Sequence, residues 1–231
     1  QLSGSVTNDK DHISWQLTYP SDKSALVFLP LNYYQNSFPK AKSFVGNPNT
    51  HFQGVITVNG DDYIIDQWQG SENHNWGSKH TDEYAWGQVA GFDNDQSAFL
   101  ECITARVKIG PFWTPKMTII CLRLNNKDYY FNTIRQAIKA KGQYNYFNWH
   151  FTSKQNGITI KGRIYTDKSN IVGLNYYNPP GGNNTCLNSK IATCELSIEE
   201  QGLEKIILTS SNSAAFEILT SDDSHGVEVV A

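Results

Sequence analysis

The stretch Val55-Ile56-Thr57-Val58-Asn59-Gly60-Asp61-Asp62-Tyr63-Ile64-Ile65 decides the fold class. Two runs rich in β-branched and aromatic residues flank Asn-Gly, the dipeptide that most readily takes the left-handed conformations of a tight turn, so an antiparallel hairpin is expected here. The same reading extends outward. Upstream, Ile13-Ser14-Trp15-Gln16-Leu17-Thr18-Tyr19 alternates apolar and polar residues, the period-two signature of a strand with one buried face. Downstream, Gly91 to Asp95, Asn125-Asn126, Asn156-Gly157 and Gly181 to Asn184 mark further turns between strand-like runs. About sixteen short strands are read in this way. One segment departs from the pattern. Asn132 to Lys141 has Asn132 or Thr133 as an N-cap, good helix formers, a basic last turn and Gly142 just beyond, which predicts a short helix.

Composition agrees, since aromatic residues make up 13% of the 231 positions and methionine occurs once, a palette suited to pleated surfaces. The expected fold is all-β, an antiparallel barrel or sandwich with one short helix. Two prolines in Gly110-Pro111-Phe112-Trp113-Thr114-Pro115 interrupt the strand pattern. This places a first β-lobe at 1–110 and a second at 111–231.

Charge and motifs narrow the function. The balance of 19 Lys+Arg against 22 Asp+Glu leaves a net charge of −3, with no electrostatic footprint for nucleic acid. The longest apolar run, Ala25 to Leu29, falls far short of the ~20 residues that span a bilayer, so no transmembrane segment is expected. The chain opens on Gln1 without a basic and then apolar leader, so no signal peptide is visible and any that existed is expected to have been removed. The four cysteines contain no C-x-x-C pair and read as small buried residues, with Cys186–Cys194 the one disulfide considered. Phosphate-loop, dinucleotide, serine-hydrolase and zinc-protease motifs are all missing. His74 and His80 lie near Glu72 and Asp82 but lack metal-ligand spacing, so neither metal nor cofactor is called for.

Unusual residues concentrate between Trp68 and Arg106. Asn73-His74-Asn75-Trp76-Gly77 is followed by Tyr84-Ala85-Trp86-Gly87-Gln88. On a strand, Tyr84, Trp86 and Gln88 share a face. Glu101, on the next strand, shares a face with Phe99, Ile103 and Ala105. Desolvation there would raise the carboxyl pKa, the condition for a general acid near neutral pH. The competing readings are an ion pair from Glu101 to Arg106, Arg123 or Lys190, and indoles that are simply core.

These motifs, with the later Asn178-Pro179-Pro180-Gly181-Gly182 and Cys186-Leu187-Asn188-Ser189-Lys190, resemble the lipocalin-like superfamily of carotenoid 1,2-hydratase (hydroxyneurosporene synthase), AttH-type proteins and tocopherol cyclase. The resemblance runs from about Ser3 to Leu196. It implies calycin-like, lipocalin-like β-lobes that bind a long apolar molecule of isoprenoid, carotenoid or quinol type, with peripheral access to a membrane. In its hydratase branch, the motif histidine and an acid on the strand after the second Trp-Gly pair add a proton and water to a C=C bond. Those roles fall on His74 and Glu101, with Trp76 as the motif tryptophan. Phe99 stands where the hydratases have a tyrosine.

Three functions are therefore set against one another. As an enzyme, Glu101 protonates an alkene, Trp76, Tyr84 and Trp86 shield the cation, and water held by His74 and Asn75, or an internal hydroxyl, captures it. Gln88 and Phe99 complete the ligand wall. As a carrier or sensor, the protein needs the aromatics and not the acid. As a structural device, the polar cluster around His74 only satisfies backbone groups at a joint.

Overall fold

A computed structural model describes residues 1–177 and 182–230. Asn178 to Gly181, which carry part of the quoted resemblance and the start of one expected turn, lie outside the described residues. The strands are β1 (Leu2–Thr7), β2 (His12–Thr18), β3 (Leu26–Val27), β4 (Ala41–Val58), β5 (Asp61–Gly77), β6 (Glu83–Phe92), β7 (Asp95–Arg106), β8 (Lys108–Ile109) and β9 (Phe112–Trp113). They continue with β10 (Met117–Leu124), β11 (Lys127–Phe131), β12 (Lys141–Asn145), β13 (Asn148–Gln155), β14 (Ile158–Tyr165), β15 (Val172–Tyr177), β16 (Asn183–Glu200) and β17 (Ile206–Thr220). Two short helices, α1 (Asn32–Gln35) and α2 (Ile134–Lys139), complete the elements used below.

The tight turns follow from their residues. Asn59 and Gly60 take φ of 53° and 95°, and β4 pairs with β5 from Val58↔Asp61 onward. Asn125-Asn126 and Asn156-Gly157 are likewise left-handed at both positions, closing β10 on β11 and β13 on β14. Both positions must take positive φ for the turn to match strand twist, and Asn and Gly take it most readily. The expected helix forms with Thr133 as its N-cap. Gly142 is not its C-cap glycine, however. It lies in β12, where a Cβ would collide with the Thr104 and Thr118 side chains. It is glycine because β12 lies directly against β7 and β10.

Two large antiparallel sheets result. The first runs β1-β2-β4-β3, with β5 also on β4. The second has ten strands in the order β11-β10-β7-β6-β17-β16-β14-β13-β12, with β15 on β16. The sheets form a sandwich and no closed barrel, yet the larger one curls until its β12–β13 end meets β7 and β10. At that meeting the Trp149 indole donates to Thr104 Oγ1 at 3.0 Å, and Thr104 and Thr118 hydroxyls bond at 2.8 Å. The ten-stranded sheet crosses the 110/111 position, because β7 pairs with β10 from Ala105↔Met117 to Phe99↔Arg123. The change of sheet falls instead between Gly77 and Glu83, and residues 107–116 leave the sheet as a small hairpin of their own.

The interior of the curled sheet is filled by side chains such as Phe92, Leu100, Trp149, Phe151, Ile164 and Phe216. Burying such residues drives folding at roughly 25 cal/mol per Å² of apolar surface. A second, smaller core lies between the sheets, where Leu26, Phe28 and Val45 of the first meet Phe99 and Cys121 of the second. Arg123 fastens the sheets at its edge, donating to Ser24 O at 2.9 Å while paired with Asp128 at 2.6 Å. All four cysteines are buried and free. Cys186 and Cys194, eight residues apart on the extended strand β16, are separated by far more than the ~7 Å limit for a disulfide.

Candidate functional site

Period-two alternation gives β7 two opposite faces. Leu100 and Cys102 enter the filled core, while Phe99, Glu101 and Ile103 face the first sheet. Register then adds β6 to that second face: Tyr84 lies opposite Ala105, Trp86 opposite Ile103, and Gln88 opposite Glu101. Sequence spacing had placed Tyr84, Trp86 and Gln88 together and Phe99 with Glu101. Sheet register brings the two sets into one surface, with Glu101 flanked by Gln88 on one side and Cys121 of β10 on the other.

Glu101 is 3% exposed. Its Oε1 accepts the Trp86 indole N–H at 3.1 Å, and its Oε2 has no hydrogen-bond partner among the described residues. Burial pushes its pKa up from 4.5 to about 7, against the opposing pull of the Trp86 and Gln88 side chains. The cations that might have paired with it are engaged elsewhere. Arg106 binds Glu83 at 2.6 Å, Arg123 binds Asp128, and Lys190 binds Glu217 at 3.0 Å. With no compensating charge beside it, the carboxyl favours its neutral form, and the ion-pair reading of Glu101 does not hold among the described residues.

Trp86 stands between two carboxyls. On the flank away from Glu101, Glu217 of β17 is its direct cross-strand partner. Glu217 accepts from Asn188 at 2.7 Å and from Lys190, and lies 3.4 Å from the Tyr84 hydroxyl. The Lys190 ammonium also lies 5.5 Å from the Trp86 ring centre. Beside Glu217 and Cys186, burial pushes the Tyr84 hydroxyl well above its ordinary value, so it stays protonated as a donor. Glu217 escaped the sequence reading, although a lone acid in the apolar run Ala214-Ala215-Phe216-Glu217-Ile218-Leu219 was a usable signal.

The motif strand β5 meets this surface through one face only. Ser71 donates to Gln88 Oε1 at 2.6 Å, and Asn73 exchanges bonds with the same amide at 3.1 and 3.3 Å. Asn75 shares Asn73's face by alternation but is exposed and paired with Ser43. His74 and Trp76 therefore point the opposite way. Their rings lie 5.2 Å apart and pack on Phe44 and Tyr34. Trp76 remains 39% exposed. The structure thus joins Tyr84, Trp86, Gln88, Phe99 and Glu101, and does not bring His74 or Trp76 to them. Ser71, which does reach the site, was not singled out in the sequence, and Asn73, which also reaches it, was read there only as part of the structural polar cluster with His74 and Asn75.

A cavity of about 260 Å³ opens beside Gln88, lined also by Gln69, Ser71, Lys190 and Ser213. Gln88 is the cross-strand neighbour of Glu101, which does not itself line the cavity. Among the described residues no group of His, Cys, Asp and Glu is placed to hold a metal ion, and no helix is long and apolar enough to cross a membrane.

The tocopherol cyclase-like family matches residues 45–219. No curated protein sequence matches the chain. Among solved structures, kievitone hydratase from Nectria haematococca is similar with a TM-score of 0.51 at 12% identity, over 95% of this chain and 64% of that one. An AttH-type protein from Nitrosomonas europaea has a TM-score of 0.47 at 10% identity, over 94% of this chain and 63% of that one. The chain spans less than two thirds of either structure's length, and at these identities the likeness is one of fold.

Proposed function

The chain belongs to the tocopherol cyclase-like family, and on that premise we propose that it binds an apolar small molecule of isoprenoid, carotenoid or quinol type and protonates a C=C bond from Glu101. The observation that carries this reading is the state of that carboxyl: buried, without a cation among the described residues, bonded to an indole, and lifted to about 7. A carboxylic acid in that condition keeps its proton near neutral pH and can deliver it to a weak base such as an alkene.

The step balances simply. The Glu101 proton forms a C–H bond at one alkene carbon, leaving a tertiary cation at the other. The Trp86 ring and the Glu217 carboxylate stabilise that cation. Water or a hydroxyl of the substrate then forms the C–O bond and returns a proton to the Glu101 carboxylate, giving hydration in one case and ring closure in the other. The cavity is smaller than the ~300–1,000 Å³ of most small-molecule sites. A long substrate would place only its reacting end in this cavity beside Gln88.

The test is turnover of polyprenyl quinols and acyclic carotenoids in deuterated water. The wild type should insert one deuterium at carbon, and Glu101→Gln should keep affinity while losing turnover. Unchanged turnover in that variant would remove Glu101 as the acid. Binding without turnover in the wild type would leave a carrier, for which the aromatic face alone suffices.

A further inference from the structure

We infer that the hairpin β8–β9 is a docking element for an anionic lipid bilayer. It belongs to neither large sheet. Lys108 pairs with Trp113 and Ile109 with Phe112, and Gly110-Pro111 forms the tip, where Gly110 at φ 59° has open space around it. Its base is closed by the Thr114 amide donating to Val107 O at 2.9 Å and the Val107 amide donating to Thr114 Oγ1 at 3.0 Å. The projection is thus an ordered two-residue turn on a hydrogen-bonded base.

Its side chains oppose ordinary solvation. Ile109 is 58%, Phe112 75% and Trp113 41% exposed, and as cross-strand partners Ile109 and Phe112 share one face of the tip. A water-facing turn has no use for such residues, whereas Phe and Trp gain free energy at the headgroup boundary of a bilayer. Cations collar the apolar tip. Residues 106–116 contain Arg106, Lys108 and Lys116 and no acid, in a chain whose net charge is −3; at the hairpin's base Glu83 pairs with Arg106 and Asp82 accepts the Lys108 amide, so Lys108 and Lys116 are the collar cations without an ion pair among the described residues. The Arg106 guanidinium, paired with Glu83 at 2.6 Å, also lies 4.4 Å from the Trp113 ring centre and holds that ring at the collar, which leaves Lys108 and Lys116 to meet phosphate.

Charge selects the occupant. Another exposed apolar stretch, Tyr63, Ile64 and Trp68 on β5, stands among Asp61, Asp62 and Asp66 and would be repelled by anionic lipid. The β8–β9 hairpin combines an apolar tip with a basic collar, the pairing that anionic headgroups over hydrocarbon complement. It also continues β7 beyond Ile103 and Ala105, so docking would bring lipid to one end of the Tyr84–Trp86 surface. The inference stands independently of any chemistry at Glu101.

Co-sedimentation with vesicles of phosphatidylcholine containing about 30 mol% phosphatidylglycerol tests it at modest ionic strength. The wild type should pellet, and Ile109→Ser/Phe112→Ser should lose binding roughly tenfold or more, because each buried apolar side chain is worth at least that factor. Lys108→Glu/Lys116→Glu should bind phosphatidylglycerol vesicles no better than pure phosphatidylcholine. Brominated lipid should quench tryptophan emission in the wild type and much less in Trp113→Leu. All variants should melt with the wild type, since the altered side chains are exposed. A wild type that stays in the supernatant, or a serine variant that pellets equally, would overturn the inference. So would a concentration-dependent dimer abolished by Phe112→Ser, which would make a second copy the partner.

Discussion

Trp86 and Glu101 are joined across the β6–β7 ladder by an indole N–H donated to a carboxyl oxygen at 3.1 Å. They are diagonal rather than direct partners, since Trp86 faces Ile103 and Glu101 faces Gln88, a spacing that long side chains bridge. The bond makes one residue a reporter of the other. Tryptophan emission should change with a midpoint near the pKa of about 7 for Glu101, and Glu101→Gln should abolish that transition. An emission flat between pH 5 and pH 9 would show that the carboxyl does not titrate there, outside its ordinary range by roughly the amount proposed.

Stability should carry the same signature. The folded pKa of Glu101 lies above the ordinary 4.5, so the native state holds the proton more tightly than the unfolded chain. Stability from this group is therefore highest below about pH 4.5, falls as pH rises to about 7, and is level above, a total loss on the order of 3 kcal/mol. Glu101→Gln removes the slope. Urea denaturation from pH 4 to pH 9 should show the variant gaining on the wild type through that window, and parallel curves would refute it.

Trp86→Phe deletes the hydrogen bond that Glu101 accepts from the indole at 3.1 Å. Because that bond favours the charged form, the carboxyl pKa should rise further, and the destabilising slope should extend to higher pH. Carboxyl infrared absorption followed against pH would read this directly. A midpoint that falls instead would mean that the indole does not bond the carboxylate.

His74→Ala should change little. The ring is exposed and packs only on Phe44 and Trp76 among its aromatic neighbours, so a stability change within about 0.5 kcal/mol is expected, as for other surface sites. Turnover should persist as well, because the histidine faces away from Glu101. Lost turnover in a variant of unaltered melting temperature would restore His74 to the chemistry.

Gly142→Ala should be costly. The added methyl would enter the space of the Thr104 and Thr118 side chains, forcing β12 away from β7 and β10 for about 1–3 kcal/mol. Gly157→Asn, at a left-handed turn with open space around it, serves as the control and should stay below ~1 kcal/mol. Equal losses in the two variants would show that the sheet ends do not approach as closely as described.

The readable part of this protein was local. Asn59-Gly60, Asn125-Asn126 and Asn156-Gly157 dictate their turns because positive φ is a property of the residue itself, and alternation along β7 put Glu101 beside Phe99 and Ile103 because side chains on a strand alternate whatever surrounds them. Gly142 shows the limit: its place after a helical run predicts a cap, while contacts with residues far away in sequence decide its use.

Alternation by itself fixes which residues share a face and leaves open which face is inside. For β5 that question separates Ser71 and Asn73, which reach Gln88, from His74 and Trp76, which face out. Nothing within β5 distinguishes the two sets, since both contain polar residues beside large ones. The partner of Lys190 was equally undetermined, for Glu217 lies 27 residues away and Glu101 much farther back on another strand. Register between strands and the packing of one sheet on the other settled these choices, because burial and pairing are properties of surfaces that meet only after the chain has folded.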